Sequence, residues 1–313
     1  MEERWIAGFW RRIGALIVDG LVLGFAGFVL GLALEETFIQ LGGWGRLIGF
    51  AIALLYFGIM NSSVTGGQTI GKKLLNVRVV NASNHTINLA RSFARYTILG
   101  LPFFLNGVPF INEATMPYLI YPVSLIVFGG LISIPYLYIF NRVTRQSLHD
   151  LVVGTYVVNS GSSKQDVGIF WKPHLIVVAI VFALSATIPA FTAKLADNGR
   201  FRDLQATQQA ISNKSAVNFA DLTDGSSTFN PVGKEAKTRS FVNVQAFLLE
   251  NKIKDSRLAR NLAEIVVVTY ADPKSRDVIN ITLTYGYDIG IWSRWSYQTH
   301  SFDPAKLTGG REV

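Results

Sequence analysis

The stretch IGALIVDGLVLGFAGFVLGLAL, residues Ile13–Leu34, decides the fold class of this chain. Asp19 is its one charged residue, and every other position is apolar or glycine. A helix needs about 20 such residues to cross a bilayer, so the stretch predicts a transmembrane helix. It is too long for the apolar centre of a signal peptide and lacks a convincing cleavage site, so we expect it to be retained.

Four further apolar runs follow, at Leu41–Met60, Tyr96–Ile111, Pro117–Phe140 and Leu175–Ala193. Together with the first stretch they predict an α-helical transmembrane bundle of about five spans. The third span is the weakest, because it is short and contains Pro102, Asn106 and Pro109. If it entered and left the membrane on one side, the segment Arg142–Lys172 would be external, which the distribution of basic residues argues against.

Charged residues are concentrated in the last part of the chain. Residues 1–193 hold 13 Lys and Arg with 8 Asp and Glu, whereas the shorter segment 194–313 holds 16 and 13. The whole chain is 16% charged, against about 25% in a soluble domain. We therefore expect a four-span membrane domain in residues 1–160, a linker and fifth helix in 161–193, and a small soluble α+β domain in 194–313.

Basic residues between the spans predict the orientation. They lie before the first span, between the second and third, and between the fourth and fifth: Arg4, Arg11, Arg12, Lys72, Lys73, Arg78, Arg91, Arg95, Arg142, Arg145, Lys164 and Lys172. The opposite loops offer Glu35, Glu36 and Glu113. Because cytoplasmic loops are rich in Lys and Arg, we expect a cytoplasmic N-terminus and an extracytoplasmic domain in 194–313. The net charge of +8 then needs no nucleic-acid partner, and no recognition motif for one is present.

Asp19 needs a partner inside the membrane. It lies about 9 Å along the first span, where a carboxylate costs a few kcal/mol and usually faces the bundle interior. Arg12 precedes it by two helical turns and projects from the same face. The two are too far apart to pair, so each is expected to meet another helix or a cytoplasmic loop. Asp19 is then either a proton- or cation-responsive carboxylate or part of a structural ion pair that locks the first helix to the loops.

The segment GGQTIGKK, Gly66–Lys73, is close to a phosphate-binding loop but departs from it twice. Lys73 stands where a Ser or Thr would hold magnesium, and the segment follows a membrane span instead of a strand. We interpret it as a turn at the membrane surface that carries Lys72. The alternation in Leu75–Val79 then predicts a short strand, and the turn Asn81–His85 is expected to close a hairpin.

Further polar residues flank the third and fourth spans. Arg91 and Arg95 share one helical face, where they could meet anionic lipid headgroups or an acid. The segment RQSLHD, Arg145–Asp150, follows the fourth span. His149 beside Asp150 suggests a general base, but no activated serine or metal ligand stands at useful spacing, so hydrogen bonding or helix capping at the membrane surface is favoured. The absence of cysteine excludes thiolate catalysis and Cys-ligated metals. We expect no catalytic residue, metal or cofactor, and no enzyme.

The first half of segment 194–313 predicts mainly helices. Helical spacing favours helices at Leu204–Ile211 and from Phe241 to near Glu264. Between them, the Ser-, Thr- and Gly-rich stretch Asp224–Lys237 predicts a loop. Ile265–Tyr270 then predicts a buried strand.

Strict alternation from Ile279 to Ile291 predicts a further strand, bent or bulged at Gly286 and Gly290. The domain is therefore expected to pack helices on an antiparallel sheet. Three aromatic residues end this region, Trp292, Trp295 and Tyr297. At strand spacing they are expected in the core, with a partner- or lipid-facing patch as the alternative.

Three blocks of the chain resemble the RDD family of bacterial membrane proteins, named for an Arg and an Asp in the first helix and a later Asp. The blocks are Phe9–Asp19, Gly67–Lys72 with Val77–Val79, and Arg145–Asp150 with Gly154–Thr155. The resemblance covers about residues 5–160 in the expected order and assigns Arg12, Asp19 and Asp150 as the defining trio. It departs from the family at Gly14, where a bulkier residue is common. It implies a multi-pass protein of the bacterial cytoplasmic (inner) membrane, with the lipid bilayer as its partner.

The resemblance implies two kinds of function. Some members look like cation/proton antiporters and others like accessory or scaffold subunits. Cation/proton or small-solute transport is supported by Asp19 and by Asn106 in a proline-broken span, with Lys72, Arg91, Arg95, Arg145 and His149 as supporting residues. One acid in five spans makes a thin pathway, which favours a homo-oligomer. The alternative is a non-catalytic membrane anchor or scaffold whose 194–313 domain recruits cell-envelope partners.

Overall fold

The computed structural model describes residues 4–109, 118–196, 199–229, 236–270 and 275–307. The chain divides into two compact units. Unit 1 comprises Met1–Leu34, Gly43–Ala190 and Asp288–Ser293, and unit 2 comprises Glu35–Gly42, Phe191–Tyr287 and Arg294–Val313. The first division falls at Leu34, whose φ of −127° and ψ of 23° interrupt the first helix.

Unit 1 is helical apart from one two-stranded sheet. Its helices are α1 (Phe9–Leu41, of which unit 1 takes the part to Leu34), α2 (Gly45–Met60), α3 (Ile70–Leu74), α4 (Leu89–Leu105), α5 (Ile120–Ser124), α6 (Gly130–Phe140), α7 (Leu148–Val153) and most of α8 (Pro173–Ala196). A π turn at Leu125–Gly129 joins α5 to α6. Helices α2 and α4 pack closely, with the rings of Phe57 and Tyr96 stacked at 4.5 Å.

The sheet of unit 1 joins strands that are far apart in sequence. β1 (Val77–Asn81) pairs antiparallel with β2 (Thr155–Asn159). The expected turn is present, since the Asn81 N–H donates to the His85 carbonyl oxygen at 2.8 Å. The expected hairpin is wrong, because the chain after the turn enters α4 while the apolar face of β1 meets the equally apolar β2.

Six residues from far along the chain also pack within unit 1. Ile289 is fully buried, and its carbonyl oxygen lies so close to Gly49 of α2 that a side chain there would collide with it. Arg46 pairs with Asp288 and donates to the carbonyl oxygen of Phe103 at 2.8 Å. The segment Asp288–Ser293 therefore gives a partner to the arginine at the predicted outer end of the second span.

Three helical stretches of the described residues are long and apolar enough to cross a membrane: Phe9–Met60, which contains α1 and α2, Ile120–Phe140 and Pro173–Lys194. Helix α4, the core of the expected third span, has 17 residues and is not among them. Residues 110–111 and Pro117 of the expected runs, and Glu113 of the expected loop between them, lie outside the described residues. The count of five spans stays a prediction.

The described residues of unit 2 contain a four-stranded sheet, three whole helices and the last residues of α1 and α8. In chain order the strands and whole helices are α9 (Gly199–Ser212), β3 (Val217–Phe229), β4 (Lys237–Leu248), α10 (Ser256–Thr269), β5 (Val278–Asp288), β6 (Ser293–Phe302) and α11 (Pro304–Leu307). The strand order is β3-β4-β5-β6. β3 and β4 are antiparallel, but β4 and β5 are parallel. The expectation of an antiparallel sheet was wrong, because α10 carries the chain back to the end of the sheet where β4 begins.

Two expected elements of unit 2 have exchanged type. Phe241–Leu248, expected as a helix, is the second half of β4, because its core residues Val242, Val244, Ala246 and Leu248 recur at every second position. Ile265–Tyr270, expected as a strand, instead completes α10 and its cap. That helix begins at Asp255, whose side chain accepts hydrogen bonds from the N–H groups of Arg257 and Leu258 at 3.0 Å.

Other expectations for unit 2 have mixed outcomes. The helix expected at Leu204–Ile211 is confirmed within α9, and the strand expected from Ile279 is confirmed as β5. The start of the loop predicted at Asp224 was wrong, because β3 continues to Phe229. Residues 230–235 of the predicted loop lie outside the described residues. Trp295 and Tyr297 are 42% and 70% exposed, so the expected core position of these aromatics was wrong.

Candidate functional site

The first group of buried polar residues in unit 1 surrounds Asp150, which is fully buried. Arg95 binds its Oδ1 through Nη2 at 2.8 Å and Nε at 3.1 Å, and Arg12 binds its Oδ2 through Nη2 at 3.0 Å. The hydroxyl of Thr155 donates to Oδ1 at 3.0 Å. Burial alone would raise the pKa of Asp150, but the charges of Arg95 and Arg12 hold it well below its usual range.

Helix α7 places Asp150 at this position. Ser147 precedes the helix, and its N–H donates to Oδ2 of Asp150, the third helical residue, at 3.4 Å. At the other end, Arg91 donates to the carbonyl oxygens of Val153 and, at 2.8 Å, Gly154. A cation at a helix C-terminus is favourable, so Arg91 stabilises the end of α7 through its contacts with these carbonyl groups.

Arg12 joins α1 to the end of α6. Besides Asp150, it donates to the carbonyl oxygen of Arg145, and its guanidinium lies over the ring of Tyr138, 4.5 Å from the centroid. Arg145 therefore contributes its main chain to this group. The partners of Arg12 come from a helix and a loop, as the distance between Arg12 and Asp19 predicts.

The second group surrounds Asp19, which is also fully buried. Its Oδ1 accepts from the hydroxyl of Tyr56 at 2.7 Å and from the N–H of Gly71 at 2.8 Å. Its Oδ2 accepts from the hydroxyl of Thr69 at 2.6 Å. No ion pair of Asp19 occurs among the described residues, so neutral donors alone hold this carboxylate.

The residues that resemble a phosphate-binding loop dock α3 against α1. Thr69 caps α3 by accepting from the Lys72 N–H at 3.1 Å. A Cβ at position 71 would lie 2.1 Å from the carbonyl oxygen of Ala15, so only glycine permits this approach. Because the Gly71 N–H already binds Asp19, the protein's own carboxylate occupies the position of an anion at this turn.

A cavity of about 290 Å³ lies between the two groups. We call it the central cavity; it is lined by Phe9, Arg12, Ile13, Ala15, Leu16, Asp19, Phe57, Lys72, Val77, Arg95, Leu99, Ile134, Pro135, Tyr138, Ile139, His149 and Val157. Its volume is near the lower end of small-molecule sites, roughly 300–1,000 Å³. The wall is mainly apolar, with a few convergent charges.

Lys72 differs from the other charged residues of the central cavity. Its ammonium has no hydrogen-bond or ion-pair partner among the described residues and lies 5.6 Å from the ring centroid of Phe57. Although part of the residue is exposed, burial of the ammonium lowers the pKa of Lys72 to about 7. The charge of Arg95 lowers this pKa further, and Asp19 and Asp150 oppose both effects. Lys72 can therefore change its charge near neutral pH.

His149 also lines the central cavity and is 2% exposed. Its Nε2 lies 3.4 Å from Oδ2 of Asp150, and burial lowers the pKa of the imidazole to about 3. A neutral ring with its proton on Nε2, the nitrogen that faces the Asp150 carboxylate, has Nδ1 as its acceptor. In the described part of the chain Nδ1 has no partner, so a solute or water in the cavity could donate to it.

The structure brings most of the expected site residues together. Arg12, Asp19, Lys72, Arg95 and His149 line the central cavity, Asp150 binds two of them, and Arg91 and Arg145 lie at the two ends of the segment that carries Asp150. Asn106 does not join them, since it is exposed beyond the end of α4.

Sequence reasoning missed the neutral donors to both carboxylates: Tyr56, Thr69, Gly71 and Thr155. The sequence did indicate a role for Tyr56, because it is the one tyrosine in the second apolar run. A phenol there needs a hydrogen-bond partner.

Comparison with known proteins identifies one family and two similar proteins. Residues 6–154 match the sequence profile of the RDD family. The uncharacterized protein YckC of Bacillus subtilis (strain 168) is 26% identical over 161 residues, which are 51% of this chain and 89% of YckC. The uncharacterized protein YxaI of the same organism is 25% identical over 126 residues, 33% of this chain and 80% of YxaI. No solved structure matches the chain.

Proposed function

Residues 6–154 form an RDD-family domain, and we propose that this domain is a small-solute transport protein whose central cavity binds an organic anion at Lys72. The family and the three apolar helical stretches support a membrane location. The proposal includes the bacterial cytoplasmic (inner) membrane, a cytoplasmic N-terminus and an extracytoplasmic 194–313 domain, which rest on the basic residues between the spans. The observation that carries it is the unpaired ammonium of Lys72 in the cavity wall.

The charges around the central cavity favour an anion. Arg12 and Arg95 share the single carboxylate of Asp150, and Asp19 is held by neutral donors. Protonated Lys72 therefore leaves the walls with three cations against two anions. At about 4 Å, two opposite charges attract by about 4 kcal/mol at an effective dielectric constant of 20. An anionic group would meet Lys72, and its apolar body would meet the apolar wall.

Cation/proton exchange at Asp19 is the less favoured form of transport. A cation that exchanged with a proton at Asp19 would bind the oxygen atoms of that carboxylate. Both oxygens of Asp19 already accept hydrogen bonds, from Tyr56, Thr69 and Gly71. A cation entering the cavity would also face the positive charges of Arg12, Arg95 and Lys72.

Transport can be tested with the purified full chain in liposomes loaded with a pH dye. Hexanesulfonate is a suitable anion, because it stays charged and does not cross the bilayer as a neutral acid. Sodium, lithium and potassium salts of an inert anion form the second arm. The variants are Lys72→Gln, Asp19→Asn and, as a matched control, Lys73→Gln, which removes an exposed lysine from the same short helix.

We expect each hexanesulfonate anion to enter together with one proton, which balances its charge and acidifies the liposome interior. This acidification should be lost in Lys72→Gln and kept in Lys73→Gln. Flux that depends on the cation and disappears in Asp19→Asn would replace this proposal with cation/proton exchange. Well-folded protein with no flux in either arm would overturn transport.

The second candidate function is a non-catalytic membrane anchor or scaffold. The observation in its favour is the exposure of Trp295 and Tyr297 on β6 of unit 2, since exposed aromatics are typical of interface residues. Under this alternative, the double variant Trp295→Ser/Tyr297→Ser would lose cross-links to a cell-envelope partner or to a second copy of the chain. Neither candidate assigns a catalytic step, a metal or a cofactor to His149 or any other residue.

A further inference from the structure

A second cavity of unit 1 has a different character from the central cavity. It measures about 390 Å³ and is lined by Phe9, Arg12, Tyr138, Ile139, Asn141, Arg142 and Arg145. We call it the arginine pocket. Three arginines line it, whereas no acidic residue does.

Two of the three arginines have charges that the protein does not neutralise. Within the described ranges, neither Arg142 nor Arg145 makes a side-chain hydrogen bond or an ion pair. Arg12 gives one Nη to the carboxylate that it shares with Arg95. Arg142 and Arg145 also line an adjoining cavity of about 220 Å³. The acidic residue that lines this adjoining cavity is Asp166, which is exposed to solvent. The arginine pocket therefore has an excess of positive charge.

Arg145 adopts an unusual backbone conformation at the pocket. Its φ is +51°, in the left-handed region that favours glycine. Such a conformation is strained for a residue with a side chain and often marks a functional position. Here it turns the carbonyl oxygen toward Arg12 while the side chain lines the pocket.

The arginine pocket lies where a membrane surface is expected. Helix α6, part of an apolar stretch long enough to span, ends at Phe140, next to the pocket. Around it, Phe140 is 55% exposed, Val143 51% and Trp10 79%. Exposed tryptophan and phenylalanine beside basic residues are typical of the boundary between hydrocarbon and headgroups.

We propose that the arginine pocket binds the phosphate group of an anionic phospholipid from the cytoplasmic leaflet. Planar guanidinium groups bind phosphate oxygens in pairs, and basic pockets between membrane helices on the cytoplasmic side suit anionic headgroups. The exposed apolar residues at the rim would contact the acyl chains. This site goes beyond the proposed transport function and does not depend on it, since Lys72 does not line the arginine pocket.

Native mass spectrometry of the full chain in detergent tests the site. The protein is titrated with phosphatidylglycerol, phosphatidylcholine or inorganic phosphate. The variants are Arg142→Gln/Arg145→Gln and a control with the same loss of charge, Lys73→Gln/Lys164→Gln, at two exposed lysines outside the pocket. Arg145→Gly is a second test variant, because glycine adopts the observed φ without strain and keeps the fold while removing the guanidinium.

We expect one phosphatidylglycerol to bind at least tenfold more tightly than phosphatidylcholine. Arg142→Gln/Arg145→Gln should weaken that binding at least tenfold, and Arg145→Gly should weaken it at an unchanged or higher melting temperature. Equal binding of phosphatidylcholine, or an equal loss in the lysine control, would overturn the proposal. Tight binding of inorganic phosphate without preference for the lipid would assign the pocket to a free phosphate instead.

Discussion

The centre of unit 1 and the core of unit 2 are equally buried but are held together by different interactions. In unit 1, Asp19 and Asp150 are fully buried and accept hydrogen bonds from charged or neutral donors. In unit 2, the fully buried residues are mainly aliphatic, such as Leu262, Ile279 and Ile281. Removing one polar partner leaves the other buried without a hydrogen bond or ion pair. Removing part of an apolar side chain lowers the free energy of unfolding only in proportion to the volume removed. A single substitution should therefore cost more in unit 1.

Asp150→Asn should produce the largest effect, because it leaves Arg12 and Arg95 buried without a carboxylate. Loss of one partner from a buried ion pair costs about 3–5 kcal/mol. We expect a strongly lowered melting temperature of the purified protein in detergent, or loss of folded protein from the membrane. Asp166→Asn is the control, as an exposed carboxylate. A melting temperature equal to that of the parent protein would show that the Asp150 group does not stabilise unit 1.

Leu262→Ala tests how much one apolar side chain stabilises the core of unit 2. Leu262 is 1% exposed in the core of unit 2, and its truncation should cost about 2–4 kcal/mol through lost contacts and a residual cavity. Hydrogen exchange of the α10 and β5 amides measures this loss locally, since a chain of two units need not unfold in one step. Val268→Ala, on the same helix but 83% exposed, should change exchange little. Equal acceleration in both variants would contradict the assigned core.

The two regions also differ in what their sequence predicted. For unit 1, a charged residue in an apolar stretch indicated that Asp19 and Arg12 each need a separate partner. Periodicity does not identify that partner, because Arg12 and Asp150 are 138 positions apart. The Asp19 contacts depend on the approach of α3 to α1, which is a tertiary property.

For unit 2, two elements were predicted with the wrong type because short apolar runs fit both the 3.6-residue repeat of a helix and the two-residue repeat of a strand. Val244, Phe247 and Leu248 fit a helix. The residues that are buried, however, are Val242, Val244, Ala246 and Leu248, and this set fits only a strand. The β-branched run from Ile265 favours a strand locally. The cap at Asp255 and the buried face of α10 extend the helix through it, so tertiary packing overrides the local preference.

Gly71→Ala should produce a smaller effect. Its Cβ would lie 2.1 Å from the carbonyl oxygen of Ala15 and 2.9 Å from Oδ1 of Asp19, so α3 must move away from α1. Overpacking of this kind costs about 1–3 kcal/mol, which we expect as a lowered melting temperature. Gly14→Ala is the matched control: its Cβ meets Leu75 at 3.6 Å, an ordinary contact. Alanine there should stabilise α1 by about 0.5–1 kcal/mol. If both variants behave alike, close approach at Gly71 is not what docks α3.

The smallest expected effect is a change of anion binding with pH. Measuring it tests whether the polar centre of unit 1 binds a solute in addition to supporting the fold. The pKa of Lys72 is lowered to about 7, so the ammonium that attracts an anion dominates below pH 7 and is lost above it. Binding of hexanesulfonate, followed by calorimetry on the purified protein, should weaken about tenfold between pH 6 and pH 8. His149 adds nothing to this change, because its pKa of about 3 keeps it neutral throughout.

The variant Lys72→Arg should bind hexanesulfonate with no such pH dependence, since arginine stays charged. The control Lys73→Gln should keep the pH dependence of the parent protein. The same pH dependence in Lys72→Arg would assign the titration to another group and remove Lys72 from the site.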